Sequence, residues 1–577
     1  MNDYIYLWVD QYRFIDEIDG ECKYLFNNFG ISLSSKYKVH VENEAAPPLE
    51  IHIDDSASKI LYEPDEEGCF YSECLTDLKV IVGQNGAGKS SIIELLKDII
   101  AGNIQYDNLR FCLVFIDESN SLKYFAKNVD IQSIVYNNTP IDPHAALVRN
   151  LSNRVIFYTA TFNDEWHLEH PDGGHQYISD IGTKFLLQQD VENYNNNADL
   201  YASTDRFYTH AILDSKRQIN FVGNFFSEGN LLKDIFRFPD KIIFNFSRGL
   251  IKNGLHSLLS IFDLEKQDHV QFENKWFKFY DRINDLNLKI RFTLLIAIFL
   301  KYKDHPANNS DQEISLELPA NEENLNLICE ELKQYIAIPY PESTERKLYS
   351  LLSSHQKNTF EDTYYEFFVN QEKDAIIDLL DTIESVGSHT LLLEYRWNRP
   401  MSSGESCYLR FFSRLYDEIL SLKRYGDITT QLHAPILIDE VDLYLHPEWQ
   451  RAWFSRFIKG IELMQLKTGI ELKLQLIMTT HSPFMLTDLI SDNIARIYRK
   501  DLYNRSVLNM TDNYMVGNIY DILKEGFFLE GTMGLFIENK LKEILHRSGS
   551  LSEKDKFVID HIGDALIRSL VLRKVSR

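Results

Sequence analysis

The sequence has 577 residues and is acidic, with 85 Asp and Glu against 60 Lys and Arg and a net charge of −25. This balance excludes a general nucleic-acid coat, so any contact with DNA or RNA needs a local basic patch or a partner. The length suggests two to four domains, and the 44% of hydrophobic residues is enough for substantial cores.

The N-terminus and the cysteines indicate a cytoplasmic protein. The opening, MNDYIYLWVDQYRFID, has early acidic residues and no basic n-region, so we expect no signal peptide. The longest apolar run, FTLLIAIFL at 292–300, is too short to span a bilayer and predicts a buried helix, so no membrane contact is expected. The six cysteines form no CxxC pair, which predicts neither a zinc site nor a disulfide framework and fits a reducing compartment.

The first part of the chain is typical of strands around one helix. Strand patterns occur, in chain order, at 4–9, 37–43, 78–83 and 154–162. The segment SSIIELLKDIIAG at 90–102 has helical spacing and ends in a glycine. We expect a hairpin around Ser119–Asn120 and a polar, Asn-rich loop at 191–199.

The middle of the chain, 200–390, has a mostly helical pattern with polar breaks and no sustained heptad. Strand patterns return at 389–397, 434–440 and 474–481, and the chain ends in a helix with basic residues. The predicted fold class is therefore α/β, with one P-loop nucleotide-binding domain split by a mostly helical insertion. The predicted divisions are 1–165 and 389–515 for the two parts of that domain, 166–388 for the insertion, and 516–577 for a C-terminal helical segment.

A complete phosphate-binding loop, GQNGAGKS, stands at residues 83–90. It matches G-x-x-x-x-G-K-S and has a buried strand before it and a helix after it, as this motif requires. Lys89 is placed to reach the β- and γ-phosphates of a nucleotide, and the Ser90 hydroxyl is placed to hold Mg²⁺. The predicted nucleotide-binding residues of this segment are Gly83, Gln84, Asn85, Gly86, Ala87, Gly88, Lys89, Ser90 and Ser91.

Three further motifs follow the insertion. Asp439 and Glu440 end the apolar strand PILIDE, where we expect Asp439 to hold Mg²⁺, largely through water, and Glu440 to polarise the attacking water. His481 ends the next strand, where an imidazole can donate a hydrogen bond to a phosphate oxygen. The segment SSGE at 402–405 is consistent with a helix cap and with an anion site, because both use the same backbone N–H groups.

Along the chain the order is phosphate loop, serine-glycine segment, acidic strand and histidine, and in this order the four motifs resemble those of the ABC-type ATPases, which bind ATP and Mg²⁺ and hydrolyse ATP. In that family the serine-glycine signature does not contact the nucleotide of its own chain but caps the γ-phosphate bound by a second subunit. The resemblance therefore implies at least a homodimer with ATP sandwiched between subunits, and catalytic roles for Glu440 and His481. The signature residues that would act on the neighbour's ATP are Ser402, Ser403, Gly404 and Glu405. No pattern distinguishes Gln188 from Gln189 as the glutamine that contacts Mg²⁺ in this family.

The spacing of the motifs distinguishes the branches of the family. More than three hundred residues separate Gly88 from Gly404, unlike a transporter motor, and the long coiled coils of the SMC branch have no counterpart here. The LHP after Asp439–Glu440 resembles compact SMC-like ATPases, which include the OLD family. The segment 517–545 and the opening of the chain are similar to PtuA-like ATPases of Septu and retron-associated anti-phage defence systems. That resemblance implies a separate HNH nuclease similar to PtuB, with a reverse transcriptase and retron DNA as further partners and nucleic acid held through a partner.

Two other functions stay open. A RecF- or SMC-like DNA-repair clamp would need a basic surface facing DNA, which the net charge disfavours. An OLD-like ATPase-nuclease would carry a Toprim site. Glu530 stands where its first carboxylate would be, but no D-x-D follows it.

Overall fold

The structure is a computed structural model of the chain. It describes residues 3–18, 21–42, 47–66, 68–101, 109–117, 119–144, 154–160, 177–197, 206–225, 238–261, 269–305, 307–308, 314, 319, 321–358, 363–386, 392–424, 428, 430–500, 505–508, 514–528, 533–546 and 552–575.

The first part of the chain is rich in strands. Its elements are β1 (Tyr4–Asp10), β2 (Tyr12–Ile18), β3 (Glu21–Phe26), β4 (Phe29–Ser32), β5 (Tyr37–Glu42), β6 (Leu49–Asp55), a 3₁₀ turn (Ala57–Tyr62), β7 (Leu75–Gly83), α1 (Lys89–Ala101), β8 (Arg110–Ile116), β9 (Leu122–Lys127), β10 (Ile131–Tyr136), β11 (Thr139–Pro140), β12 (Val155–Thr159) and β13 (Ile178–Asp180).

The middle of the chain is mostly helical. Its elements are α2 (Thr183–Asn197), α3 (Arg206–Phe225), β14 (Lys241–Phe246), α4 (Arg248–Ile261), α5 (His269–Tyr280), α6 (Leu286–Tyr302), α7 (Glu322–Tyr335), α8 (Glu342–Leu352), β15 (Gln356–Asn358), β16 (Thr363–Phe368), α9 (Val369–Val386) and β17 (Leu393–Trp397).

The last part alternates strands and helices and then becomes helical. Its elements are α10 (Ser403–Arg424), β18 (Gln431–Asp439), α11 (Pro447–Thr468), β19 (Glu471–Thr479), α12 (Pro483–Leu486), a 3₁₀ turn (Ser491–Asn493), β20 (Ile494–Arg499), β21 (Arg505–Leu508), α13 (Ile519–Gly526), α14 (Leu535–His546), α15 (Glu553–Asp560) and α16 (Ala565–Val575).

A seven-stranded sheet in the order β13-β12-β18-β19-β7-β20-β21 forms the centre of the molecule. Its strands are parallel except at the edge, where β21 pairs antiparallel with β20. Such a sheet is buried on both faces, and alternate residues of its strands therefore enter two different cores. Ile81, Leu437 and Ile477 pack with α1 and with the N-terminal strands, whereas Val80 and Leu476 face the helices on the other side.

The N-terminal strands form two further four-stranded sheets. Their orders are β4-β1-β8-β9 and β11-β10-β6-β5, and between them lies a small core that includes Ile5, Trp8 and Ile53. The other face of the first sheet, with Leu7 and Val9, packs towards α1. The separate hairpin of β2 and β3 brings Phe26 against the phosphate loop.

The predicted α/β fold with a helical insertion is confirmed, and the predicted strands and the helix after the phosphate loop are present. A four-stranded antiparallel sheet, in the order β15-β16-β14-β17, joins three strands of the insertion to β17, which lies just after the predicted end of the insertion; the sequence patterns indicated only β17. The proposed domain boundaries stay a prediction.

The loop predicted at 191–199 is wrong for residues 191–197, which continue α2, and 198–199 lie outside the described residues. Asparagine is a weak helix former, but tertiary contacts override such a preference. Asp190 is fixed from α3 by the Arg217 guanidinium at 2.6 and 3.0 Å and by His210 at 2.8 Å. These contacts hold α2 against α3 just before the polar stretch.

No helix in the described part of the chain is long and apolar enough to cross a bilayer. The predicted buried helix around 292–300 is confirmed, because α6 carries that run with its apolar side chains buried.

Candidate functional site

Three adjacent parallel strands bring the motifs together. β19 lies between β18 and β7, with Ile438 opposite Met478 and Thr479 opposite Ile81. Parallel neighbours end at the same edge of a sheet, and ligands of α/β proteins bind at that edge. The phosphate loop, the acidic pair and His481 therefore meet at one site, although more than three hundred residues separate the first from the others.

The phosphate loop needs its glycines for steric reasons. Gly83 has φ 151°, and a Cβ there would lie 2.0 Å from the Ile497 carbonyl oxygen, which excludes any side chain. Gly88 has φ 95°, and its Cβ would lie 2.7 Å from the Phe26 ring. Both positions favour glycine because of the left-handed backbone and the close neighbours.

The Lys89 ammonium lies inside the loop. It donates to the carbonyl oxygens of Gly83 and Gln84 at 3.1 Å each. Burial lowers the pKa of Lys89, while Glu440 and Asp439 act in the opposite direction. An ammonium that is already surrounded by acceptors is positioned to meet phosphate oxygens that enter the loop.

Ser90 and Asp439 form the pair predicted to hold Mg²⁺, and they are hydrogen-bonded to each other. Asp439 Oδ1 also accepts a hydrogen bond from Thr479 Oγ1 at 2.6 Å. Burial raises the pKa of Asp439 to about 6, because the charged carboxylate is poorly solvated there. A hydroxyl beside a carboxylate fits Mg²⁺, which uses oxygen ligands, keeps several waters and takes the rest from phosphate. The described residues contain no cluster of three or more His, Cys, Asp or Glu that could form an all-protein metal site.

Glu440 lies beside His481, with 3.6 Å between Glu440 Oε1 and His481 Nε2. The Glu440 backbone is left-handed, with φ 51°, and its N–H donates to Thr479 Oγ1 at 3.0 Å. The neighbouring His481 imidazole lowers the pKa of Glu440, and the Lys89 charge adds to this effect. Glu440 is thus an ionised carboxylate at neutral pH, half-buried at the edge of the phosphate loop.

Asp442 is a site residue that sequence reasoning missed. Its buried carboxylate accepts a hydrogen bond from Thr480 Oγ1 at 2.8 Å and from the His481 backbone N–H at 3.2 Å. Burial raises the pKa of Asp442. The only sequence signal is that Asp442 is the third acidic residue of the segment DEVD, which begins at Asp439. Asp442 fixes the position of the backbone that carries His481.

The signature forms a reciprocal cap at the start of α10. Ser402 Oγ accepts from the Glu405 N–H at 3.2 Å, and Glu405 Oε2 accepts from the Ser402 N–H at 2.9 Å. Arg399 donates to the same carboxylate at 2.7 Å. Ser402 and Ser403 are exposed, whereas Gly404 is buried, and its Cβ position is 3.3 Å from the Tyr444 carbonyl oxygen. Within the described residues, no hydrogen bond joins this segment to the phosphate loop of the same chain.

A cavity of about 600 Å³ adjoins the loop and is partly built from the C-terminal region. Gly83, Gln84, Asn85 and His481 form one wall, and the other wall consists of Arg499, Leu523, Phe527 and Phe528. Gln84 Oε1 accepts a hydrogen bond from the Arg499 N–H at 3.1 Å, and Arg505 donates to the Gly86 carbonyl oxygen at 3.4 Å. Sequence reasoning missed both arginines, because no motif joins β20 and β21 to the loop.

The remaining candidates are placed as follows. Ser91 is buried on α1, and its hydroxyl accepts a hydrogen bond from Arg13 at 2.8 Å. Gln188 and Gln189 lie on α2, and no contact of the described residues singles out either as the Mg²⁺-contacting glutamine. Glu530 lies outside the described residues.

Comparison with curated proteins gives relatives of low identity. The chain is 31% identical over 169 residues to the Septu protein PtuA of Bacillus thuringiensis, covering 28% of this chain and 38% of the relative. It is 29% identical over 123 residues to the Retron Vc95 probable ATPase of Vibrio cholerae serotype O1 biovar El Tor, covering 21% and 22%. It is 22% identical over 348 residues to the Retron Ec83 probable ATPase of Escherichia coli, covering 56% and 59%. The chain thus spans between about a fifth and three fifths of the length of the curated relatives it matches.

These relatives confirm the predicted resemblance to PtuA-like and retron-associated ATPases. A family comparison matches residues 186–487, just over half of the chain. The matched range begins after the phosphate loop and includes the signature, the acidic pair and His481. The chain therefore belongs to the family described as "AAA domain, putative AbiEii toxin, Type IV TA system".

Proposed function

We propose that this chain binds ATP with Mg²⁺ in the phosphate loop and hydrolyses it to ADP and phosphate. The observation that carries the proposal is the position of Glu440, an ionised carboxylate 3.6 Å from His481 at the edge that also presents Lys89. Two relatives are named probable ATPases, which supports the same activity.

Each site residue has its own role in the proposed binding and hydrolysis of ATP. Lys89 and the loop N–H groups bind the phosphates, and Ser90 and Asp439 hold Mg²⁺, which supplies positive charge to the β- and γ-phosphate oxygens when bound. Glu440 accepts a proton from the attacking water, and its lowered pKa keeps it ionised for this step. His481, fixed by Asp442, donates a hydrogen bond to a γ-phosphate oxygen, where negative charge is concentrated.

The test is Glu440→Gln in the purified chain. This substitution keeps the shape of the side chain but removes the proton acceptor, so turnover should fall by a factor of about 10²–10⁴ while ATP still binds. Lys89→Ala should instead weaken nucleotide binding. Phosphate release and fluorescent-ATP binding distinguish the two effects. Near-normal turnover by Glu440→Gln would remove this carboxylate from its proposed role.

The exposed signature supports an assembly with shared ATP sites. Ser402 and Ser403 face solvent and have no hydrogen bond to their own chain's phosphate loop among the described residues. The N-terminus of α10, with its free N–H groups and dipole, is suited to contact a γ-phosphate on another subunit. We therefore place two chains head to tail, each completing the other's site.

The relatives support a place in an anti-phage defence system. One is named a Septu protein and two are named as retron ATPases. We propose that this cytoplasmic ATPase controls a separate effector, an HNH nuclease similar to PtuB, with a reverse transcriptase and its retron DNA as candidate further members. The protein would contact nucleic acid through these partners. When two subunits close on the ATP between them, the insertion of one subunit moves relative to the insertion of the other. This movement changes any surface that a partner binds.

The effector proposal is tested by purifying the chain alone and together with the products of its neighbouring genes. DNA and RNA cleavage is then assayed with Mg²⁺ or Mn²⁺. Cleavage should require a co-purifying partner and should depend on Lys89. Robust cutting by the isolated chain would favour a built-in nuclease. Salt-sensitive DNA binding without any co-purifying partner would favour a DNA-repair clamp.

A further inference from the structure

A second cavity, of about 350 Å³, lies between the insertion and β17, and its lining residues are distinct from those of the phosphate loop. It opens on the sheet formed by β14, β16 and β17, and the ends of α4, α5 and α6 complete its walls. Its size is at the lower end of the range of small-molecule sites. β17 supplies three consecutive lining residues, Glu394, Tyr395 and Arg396, and ends at Trp397, shortly before the signature at Ser402.

Cationic side chains outnumber acidic ones in this cavity, although the whole chain carries a charge of −25. Lys289 is only 6% exposed, and its ammonium lies 4.8 Å from the centre of the Tyr280 ring. Arg248 and Arg396 supply two guanidinium groups. Two acids oppose these three cations, and one of them, Asp281, is paired with Arg248 at 2.8 Å. A lining that contains a buried ammonium and two exposed guanidinium groups offers the groups that recognise phosphate, because guanidinium binds it through two parallel hydrogen bonds.

The other groups of the cavity suit the rest of a nucleotide. Glu394 is exposed at the rim and accepts a hydrogen bond from Ser247 Oγ at 2.9 Å, which leaves its other lone pairs for hydroxyl groups of a ligand. Carboxylates also bind ribose hydroxyls in dinucleotide sites. The Tyr280 ring, which lies beside the Lys289 ammonium, adds an aromatic surface to the lining. Asn245, directly opposite Glu394 in the sheet, adds an amide.

We propose that this cavity binds a nucleoside phosphate, with its phosphate on Lys289 and Arg396 and its ribose hydroxyls on Glu394. The ligand is either a free mononucleotide or the 5′-phosphorylated end of a single strand, because both present the same groups. The proposal does not depend on ATP hydrolysis at the phosphate loop, from which every one of these residues is distinct.

The experiment is isothermal titration calorimetry on the full-length chain carrying Lys89→Ala, which weakens nucleotide binding at the phosphate loop. The probes are AMP, adenosine, inorganic phosphate and a 5′-phosphorylated DNA tetranucleotide. AMP or the tetranucleotide should bind once per chain, and adenosine should bind at least about tenfold more weakly than AMP because it lacks the charge-assisted hydrogen bonds. The tighter of the two phosphorylated probes identifies the source of the ligand.

Three substitutions locate the binding. Arg396→Ala and Lys289→Met should each weaken binding of the phosphorylated probe about tenfold. Glu394→Ala should weaken AMP binding and leave inorganic phosphate unaffected. Arg346→Ala, an exposed arginine of α8 outside the cavity, is the matched control and should change nothing. The proposal is overturned if neither phosphorylated probe binds, if adenosine binds as tightly as AMP, or if Arg396→Ala and Lys289→Met both retain the parent affinity.

Discussion

Asp439 shows how a single site residue can act against the stability of the fold. Its carboxylate is 7% exposed at the end of β18, and its nearest charged neighbour in sequence is the like-charged Glu440. Burial raises the pKa to about 6 from the ordinary 3.8. Above pH 6 the folded chain therefore holds a carboxylate whose ionisation costs more than in the unfolded chain, and bound Mg²⁺ offsets this cost.

We predict that Asp439→Asn stabilises the nucleotide-free protein at neutral pH. Below pH 3.8 the carboxyl is protonated in both states and the cost is absent. It grows between pH 3.8 and 6 and is complete above pH 6, at about 1–3 kcal/mol. The melting temperature should thus rise by a few degrees at pH 7.5 and be unchanged at pH 4.

The control for this prediction is Asp374→Asn, at an exposed position on α9. Melting curves at pH 7.5, 5 and 4 provide the comparison. An equal loss of melting temperature for Asp439→Asn at all three values would show that its main role is to accept hydrogen bonds from Thr479 and Ser90.

At the scale of elements, the turns after β18 and β19 form one unit. Asp442, from the first turn, accepts hydrogen bonds from Thr480 and His481 of the second, and Ser482 donates to Gln450 of α11 at 2.8 Å. Glu440, the proposed general base, and His481, the proposed γ-phosphate contact, therefore lie in two turns that this small network joins. A substitution in either turn should therefore shift the side chains of both Glu440 and His481.

This network predicts that Asp442→Ala lowers kcat by about tenfold to a hundredfold and changes the KM for ATP little, because it misplaces a group that acts in the transition state. His481→Ala should have a similar effect, and the double substitution should be no worse than the more damaging single one. Steady-state phosphate release measures all three. Glu448→Ala, at an exposed position on α11, is the control and should leave both constants unchanged. Additive losses in the double variant would mean that the two residues act independently.

At the scale of the whole molecule, one chain carries two elements suited to phosphate that do not meet. The phosphate loop is at the edge of the central sheet, and the signature caps α10 beside Tyr444. A hydrogen-bonded cap and an anion site are compatible, since α10 has more N–H groups in its first turn than Ser402 can satisfy. The head-to-tail assembly proposed above accounts for the exposure of Ser402 and Ser403.

The assembly predicts complementation between two inactive variants. Lys89→Ala removes one half of each shared site, and Ser402→Arg blocks the other half, so neither protein alone should hydrolyse ATP. A mixed dimer contains one doubly damaged site and one intact site, and mixing should restore up to about a quarter of the parent activity when the chains pair at random.

The readout is phosphate release from the separate proteins and from their refolded or co-expressed mixture. Lys38→Ala, an exposed position on β5, serves as an active control for the mixing procedure. Full activity of Ser402→Arg by itself would show that the signature is only a helix cap.

The sequence determined the features that depend on residues close together in the chain. The phosphate loop, the strand ends at Asp439 and His481, and the helix cap at Ser402 are local patterns with a physical meaning of their own. Buried parallel strands also appear as continuous apolar runs, so β7, β18 and β19 could be predicted before their order was known.

Only the tertiary structure decided the features made by distant segments. Strand order placed β19 between the acidic strand and the loop, and it brought Arg499 and Asp442 into the site, where neither belongs to a motif. The extension of α2 through its asparagines followed from ion pairs with α3. The second cavity is lined by both Lys289 and Arg396, which are more than a hundred residues apart in the sequence. Contacts of this kind depend on which surfaces pack together, and a single sequence carries no periodic signal for such pairing.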